Sequence, residues 1–295
     1  MAKASLLPDR AVLEIGGPEA RDFLQNLVTN NVDQANPDSA VYTLLLTPQG
    51  KYLFDFFLLE QDGRFLADCN SEAAPLLLKR LMFYKLRADV ALKDASDDWA
   101  VGAHWDGESA AAPGAVSAFN GGWLYGDPRL AALGSRFIVP SGDADAALAA
   151  SEADQAEPKD YEVYRSSLGV PGPADLIEEK TFPLEANLDL LHAVDYQKGC
   201  FIGQEVTSRT HRQGKVRKRI LPVSASSTLP KAGTAIMAGE RQAGELLSRH
   251  GPQGLALLRL DRLSEPLDAA GTDIDVQFPD WLPAPNPDDG EDDGE

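Results

Sequence analysis

Apolar positions either alternate with polar ones or recur three and four residues apart along this chain. Residues 11–15 read as a strand, which Gly16-Gly17-Pro18 ends. Phe23, Leu24, Leu27 and Val28 then form the stripe of a helix over 19–28. Residues 41–46 and 52–59 read as strands about the turn Pro48-Gln49-Gly50, and 64–68 as a third strand. The stretch 73–86 predicts a helix that buries Leu76, Leu77, Met82 and Leu86. Strands, hairpins and helices mixed in this way predict α+β layers.

The pattern weakens over 105–125, where small residues and glycines read as irregular. A short strand at 137–140, a surface helix at 144–153 and a helix at 161–168 follow, the last stopped by Gly169-Val170-Pro171. From Arg219 the texture changes to short apolar runs broken by turns such as Gly239-Glu240 and Ala270-Gly271, the spacing of a small β-barrel. This predicts a region 1–218 of two interleaved α+β subdomains, a barrel at 219–280, and an acidic tail at 281–295, disordered because P-A-P-N-P-D-D-G-E-D-D-G-E at its end offers nothing apolar to pack.

The 295 residues are 43% hydrophobic and 25% charged, ordinary for a globular chain. Net charge is −19; six of those charges lie in the tail, so the rest still stands at −13. Such a surface repels nucleic acid and anionic membrane, and neither is expected as a partner. Cys69 and Cys200 are too few for a disulfide framework, which points to a reducing compartment. The first ten residues show neither an apolar core nor an Arg-rich amphipathic pattern, so a cytoplasmic protein is expected; a monomer is expected too.

Chemistry concentrates in K-G-C-F-I-G-Q-E, residues 198–205. Cys200 sits between Gly199 and Gly203, two residues from Lys198 and just before a helix expected near Gly203; a cation and a helix start both favour thiolate. The glycines let backbone approach a ligand. The run 209–219 then carries six of the 27 Lys and Arg residues, a footprint for an anionic ligand or an acidic partner. Upstream, Glu185 and Asn187 lie two apart, so extended backbone would put a carboxylate and an amide on one side, able to pair with a heteroaromatic edge. Cys69, flanked by Asp68 and Asn70, reads as a packing residue.

The run from Phe182 through Arg209, with its K-G-C-F-I-G-Q-E core, closely resembles the YgfZ branch of the glycine-cleavage T-protein superfamily. F-L-Q-N-L-V-T-N-N-V (23–32), T-P-Q-G-K (47–51), K-L-R (85–87) and L-G-V-P (168–171) extend the likeness over nearly the whole chain, least in 90–160. The resemblance implies a T-protein-like ring of three subdomains, two α/β and then a β-barrel, with a tetrahydrofolate site near its centre. It also implies a role in making or repairing iron–sulfur enzymes, with carrier or client proteins as partners. On that reading Lys198, Arg165 and Arg209 are expected at the glutamate carboxylates of folate, Glu185 and Asn187 at the pterin edge, Tyr161 stacked on a ring, and Gln204 beside them. Cys200 is the expected working thiol. A cluster needs about four ligands, so it would be transient and shared with a partner.

The chain departs from aminomethyl-transferring T-proteins. It has no T-G-E segment, and Ser71-Glu72-Ala73-Ala74-Pro75 does not reproduce their Asn-plus-Asp pattern. A folate-dependent aminomethyl or one-carbon transferase is therefore the second reading. A cysteine hydrolase using His192 or His211 as base is a third.

Overall fold

The computed structural model of the protein describes residues 1–107, 111–214 and 216–283. The expected disordered tail starts too early, because Leu282 is buried in the barrel core and Trp281 packs on it; from residue 284 on it lies outside the described residues, as does Lys215 of the basic run. The chain divides into two compact units: Met1–Tyr161 with Leu191–Gln204, and Glu162–Leu190 with Glu205–Glu295.

The first unit runs β1 (Lys3–Leu6), β2 (Arg10–Gly16), α1 (Ala20–Leu27), β3 (Val41–Leu46), β4 (Tyr52–Gln61), β5 (Arg64–Asn70), α2 (Ala74–Lys85), β6 (Ala91–Asp94), β7 (Trp99–Trp105), β8 (Val116–Phe119), β9 (Gly122–Gly126), β10 (Ser135–Pro140), α3 (Ala144–Ala150) and β11 (Asp154–Gln155). These strands make two sheets, β3-β4-β5-β2-β6 and β11-β1-β7-β10-β9-β8. In the first sheet the period of two sorts β5 cleanly. Phe65, Ala67 and Cys69 join the core under α1 and α2, whereas Asp68 points the other way, to Tyr125 and Arg136 of β9 and β10. That sheet is covered on both faces, so β4 reads as a nearly unbroken apolar run rather than an alternating one.

Helix α1 lays Phe23, Leu24 and Leu27 on this core, as its stripe predicts. Helix α2 does not follow the expectation. Ala74, Leu77 and Leu81 are buried, while Leu76, Met82 and Leu86 stand in solvent. The helix is apolar on two faces, so its sequence fits two rotations, and packing against the sheet selects 74, 77 and 81. Each of the two buried leucines contributes about 2 kcal/mol by burial. The stretch read as irregular holds the β8–β9 hairpin. Asn120 and Gly121 both take positive φ (44° and 73°) there, as a two-residue turn between right-twisted strands requires.

Helices α4 (Pro158–Ser167) and α5 (Gln204–Gln213) precede β12 (Lys218–Ser224), β13 (Ala235–Ala238), β14 (Arg241–His250), β15 (Gln253–Arg259), β16 (Leu267–Ala269) and β17 (Thr272–Val276). These six strands close a barrel in the order β12-β15-β14-β13-β16-β17, within the second unit. Its core holds Leu221, Val223, Ile236, Leu246, Leu258 and Ile274. Register shifts at Ile236/Met237 and Leu246/Ser248 bend the strands as closure needs.

Candidate functional site

Cys200 is exposed and Cys69 buried. The difference follows from the local chain. Phe201, next to Cys200, is buried, and Ile202 packs on the core of the first unit. Gly203 has φ +83°, and a Cβ there would lie 2.6 Å from the carbonyl oxygen of Thr47 and 3.0 Å from Cα of Gly50. So the loop rests tightly on the turn at 47–51, and Gln204 closes it by donating from Nε2 to the carbonyl of Gly199 (3.3 Å). The thiol stands outward on a loop whose next three residues are anchored.

The segment before it is held as firmly. Lys198 donates from Nζ to the carbonyls of Gln25 (2.8 Å), Val28 (2.6 Å) and Asn30 (2.7 Å). The first two belong to the last turn of α1 and its C-cap, whose carbonyls lack helical partners. Thr29 donates to the carbonyl of Ala193 (2.6 Å), and Asn30 donates from Nδ2 to those of His192 (2.7 Å) and Tyr42 (2.8 Å). Sequence reading missed Thr29 and Asn30. Their signal was a pair of polar residues directly after an apolar helical stripe. Burial pushes the Lys198 ammonium down to about 8, against the pull of Asp195 and Asp33. Its three protons are taken by carbonyls, so it is neither a free counter-ion for a thiolate nor an open contact for a folate carboxylate, and that expectation is corrected.

Other nominated residues are also committed inside the fold. Tyr161 is buried with its ring edge-on to Trp105 (5.3 Å), so it offers no face for stacking. Arg165, in the second unit, is buried, donates to the Val170 carbonyl and pairs with Glu162 and Asp175. Gly172 leaves it room, since a Cβ there would lie 2.2 Å from Nη2. Residues 183–190 form successive turns, not extended backbone, and Asn187 has φ +60°. Its buried amide donates to the carbonyl of Ile220 (2.7 Å) and accepts from Arg219 (3.2 Å), so it anchors β12 rather than sharing a face with Glu185. Arg219 of the basic run also bonds Leu184 and Asp189. Glu185 is half-buried; burial raises its pKa and Lys218 opposes the rise. Arg209 is exposed and pairs with Glu205 (2.8 Å). Four of the seven residues expected at folate are thus buried and internally bonded, and the set as read does not fit that ligand.

The sequence also gave no warning of the buried ionic network between the two sheets of the first unit. Asp68, wholly buried, accepts from Arg10 (2.6 Å), Arg136 (2.7 Å) and Tyr125 (2.7 Å). Burial would raise its carboxyl, but Arg10 and Arg136 override that and hold it below the ordinary value. Arg129 pairs with Asp127 (2.7 Å), and both it and Arg136 lie over the ring of Phe57 (4.9 and 4.6 Å). Around Cys69, burial pushes the thiol up to about 12. Cys200 has no hydrogen-bond partner among the described residues, so no described imidazole is bonded to it as a base.

The fold and these motifs define a T-protein-like protein with a second, barrel-forming part. Residues 10–105 match the GCVT N-terminal domain, and 217–284 the C-terminal beta-barrel domain of CAF17. The crystal structure of glycine cleavage system aminomethyltransferase T from Bartonella henselae is similar with a TM-score of 0.76, covering 95% of this chain and 86% of that one at 14% identity, a likeness of fold. The mitochondrial iron–sulfur cluster assembly factors IBA57 of Mus musculus and Homo sapiens are each 32% identical over 94% of this chain and 84% of their own length. The mitochondrial IBA57 homolog of Mycosarcoma maydis is 35% identical over 91% of this chain and 67% of its own. The chain belongs to the IBA57 family. The superfamily read from the sequence is thereby shown, and the relatives found are IBA57 factors. They are mitochondrial, which overturns the cytoplasmic expectation. Its grounds, reduced cysteines and an unremarkable first ten residues, do not tell one reducing compartment from another.

Proposed function

We propose that this protein acts in the assembly of iron–sulfur proteins and that Cys200 is the thiol that meets the cluster in transit. The observation that carries the reading is the contrast between its two cysteines. Cys69 is sealed in a core, whereas Cys200 stands exposed on a loop fixed by Lys198, Phe201, Gly203 and Gln204. The naming of its relatives as iron–sulfur cluster assembly factors supports the same reading. A cluster takes about four ligands, mostly thiolates. Among the described residues no three His, Cys, Asp or Glu side chains come together as a metal site. The cluster is therefore cargo shared with a carrier or client that supplies the remaining ligands. Tetrahydrofolate has no step in this proposal, because four of the seven residues expected to hold it are buried and bonded within the fold.

The test is Cys200→Ser as the only copy in cells. Activities of [4Fe–4S] enzymes are expected to fall while the variant accumulates normally. Purified protein mixed with a cluster-loaded carrier is expected to show altered charge-transfer absorption with wild type and not with Cys200→Ser. Unchanged enzyme activities would sink the thiol reading.

A further inference from the structure

The outer face of α2 is unusual for a helix packed on a core. Lys79 and Arg80 lie three and four residues after Leu76 and four and three before Phe83, so the four share a stripe, with Met82 beside it and Leu86 just past the last turn. Phe83 is 71% exposed and Leu86 87%. Phe83 packs edge-on against Tyr84 (5.7 Å), so the aromatic tip is propped rather than loose. Leu86 takes φ +47°, a backbone region that a leucine enters only at some cost, and it does so with its side chain in water. Exposure of four large apolar side chains on one short element marks a surface that meets something.

The charges around this stripe say what kind of partner it meets. Residues 73–88 contain Lys79, Arg80, Lys85 and Arg87 and no acidic residue, in a chain of net charge −19 with 46 Asp and Glu. None of these four cations forms an ion pair among the described residues, although acids to neutralise them are plentiful elsewhere. Aromatic, leucine and methionine anchors rimmed by unpaired cations are the make-up of a protein-docking site, in which the apolar centre holds and the charges steer. An anionic membrane fits less well, because the rest of the molecule would be repelled by it. A second copy fits less well too, because it would bring the same cations to face these.

We infer that the outer face of α2, centred on Phe83 and Leu86 and carrying Lys79 and Arg80, with Lys85 and Arg87 at its C-terminal end, docks an acidic protein that presents an apolar groove. On the assembly reading above, this protein is the carrier or client of the cluster. Docking through α2 lets recognition of the partner rest on residues separate from the thiol.

The test places a benzophenone-bearing amino acid at position 83 of the full chain in cells and identifies the adduct by mass spectrometry. The adduct protein is then purified and its Kd measured against wild type, Phe83→Asp and Lys79→Glu/Arg80→Glu. The expected result is one acidic protein, bound about tenfold or more weakly by Phe83→Asp, with affinity for wild type falling as salt rises. The variants should unfold close to the wild-type urea midpoint, since Lys79 and Phe83 are exposed and Arg80 is only half-buried. A lipid adduct, an adduct to a second copy, no enriched adduct, or a partner bound equally by Phe83→Asp would each overturn the inference. Cys200→Ser run in parallel separates the two readings. If it abolishes iron–sulfur enzyme activity while the α2 variants bind normally, docking alone fails. If it changes nothing while Phe83→Asp loses the partner, the thiol reading alone fails.

Discussion

Lys198→Met is the sharpest probe of how the thiol loop is held. The side chain is 7% exposed and makes three charge-assisted bonds of 2.6–2.8 Å to carbonyls at the end of α1 and beyond it. Bonds to a charged group are worth about 2 kcal/mol each, about 6 in total. Burial opposes them: lowering the ammonium from 10.5 to about 8 corresponds to about 3 kcal/mol against the charged form. Methionine fills similar space without bonding, so the net loss at pH 7 should be about 3 kcal/mol, read as a lower urea midpoint. The pH dependence carries a separate signature. The unfolded chain keeps this proton up to about 10.5 and the folded chain only to about 8, so between these values the unfolded state binds more protons and stability rises with pH. The difference between wild type and variant should therefore widen by about 1 kcal/mol from pH 7 to pH 9. Taking the difference cancels every other titrating group, including Cys69. A variant within about 1 kcal/mol of wild type at pH 7, or a difference flat across that window, would refute the claim that this ammonium is buried and bonded as described.

Two further outcomes follow from the first unit. Asp68→Asn leaves Arg10 and Arg136 buried without their anion and should cost about 3–5 kcal/mol in urea unfolding. Because Asp68 is held below the ordinary carboxylate value, its contribution is fully present above that value and lost as pH falls through the folded one, so the variant should show a shallower acid limb. Iodoacetamide should label one thiol, Cys200, on the native protein, and Cys69 only as fast as the chain unfolds. Peptide mass spectrometry with and without urea reads this, and rapid native labelling of Cys69 would contradict its place in the core.

Local pattern carried much of the architecture. Strands β3 and β4 and helix α1 follow directly from apolar spacing, and the barrel from turn spacing. The β8–β9 hairpin was signalled by Asn120-Gly121, but its strands are too mixed in composition to read beside the small residues around them. Helix α2 was legible as a helix and not in its rotation, because apolar residues lie on both of its faces. The glycines around Cys200 were legible because their neighbours are. The roles of Lys198, Thr29 and Asn30 were not, because their bonds join residues more than 160 positions apart, and no local pattern records where a lysine points. Asn187 failed for a related reason. Alternation assumes extended backbone, and a positive φ in a chain of turns removes the premise.

The first unit is written in two pieces, Met1–Tyr161 and Leu191–Gln204, with Glu162–Leu190 of the other unit spelled out between them. A ribosome therefore completes the α1 end that receives Lys198 some 170 residues before it makes Lys198. Until then the carbonyls of Gln25, Val28 and Asn30 wait without their ammonium, and the thiol does not exist. No single cut, by protease or by cloning, separates the two units. A fragment ending at Tyr161 has a nearly whole first unit and no Cys200, and one beginning at Leu191 has Cys200 and nothing to seat it. Cys200 is thus among the last residues of its unit to be made, available only on a body already built to hold it.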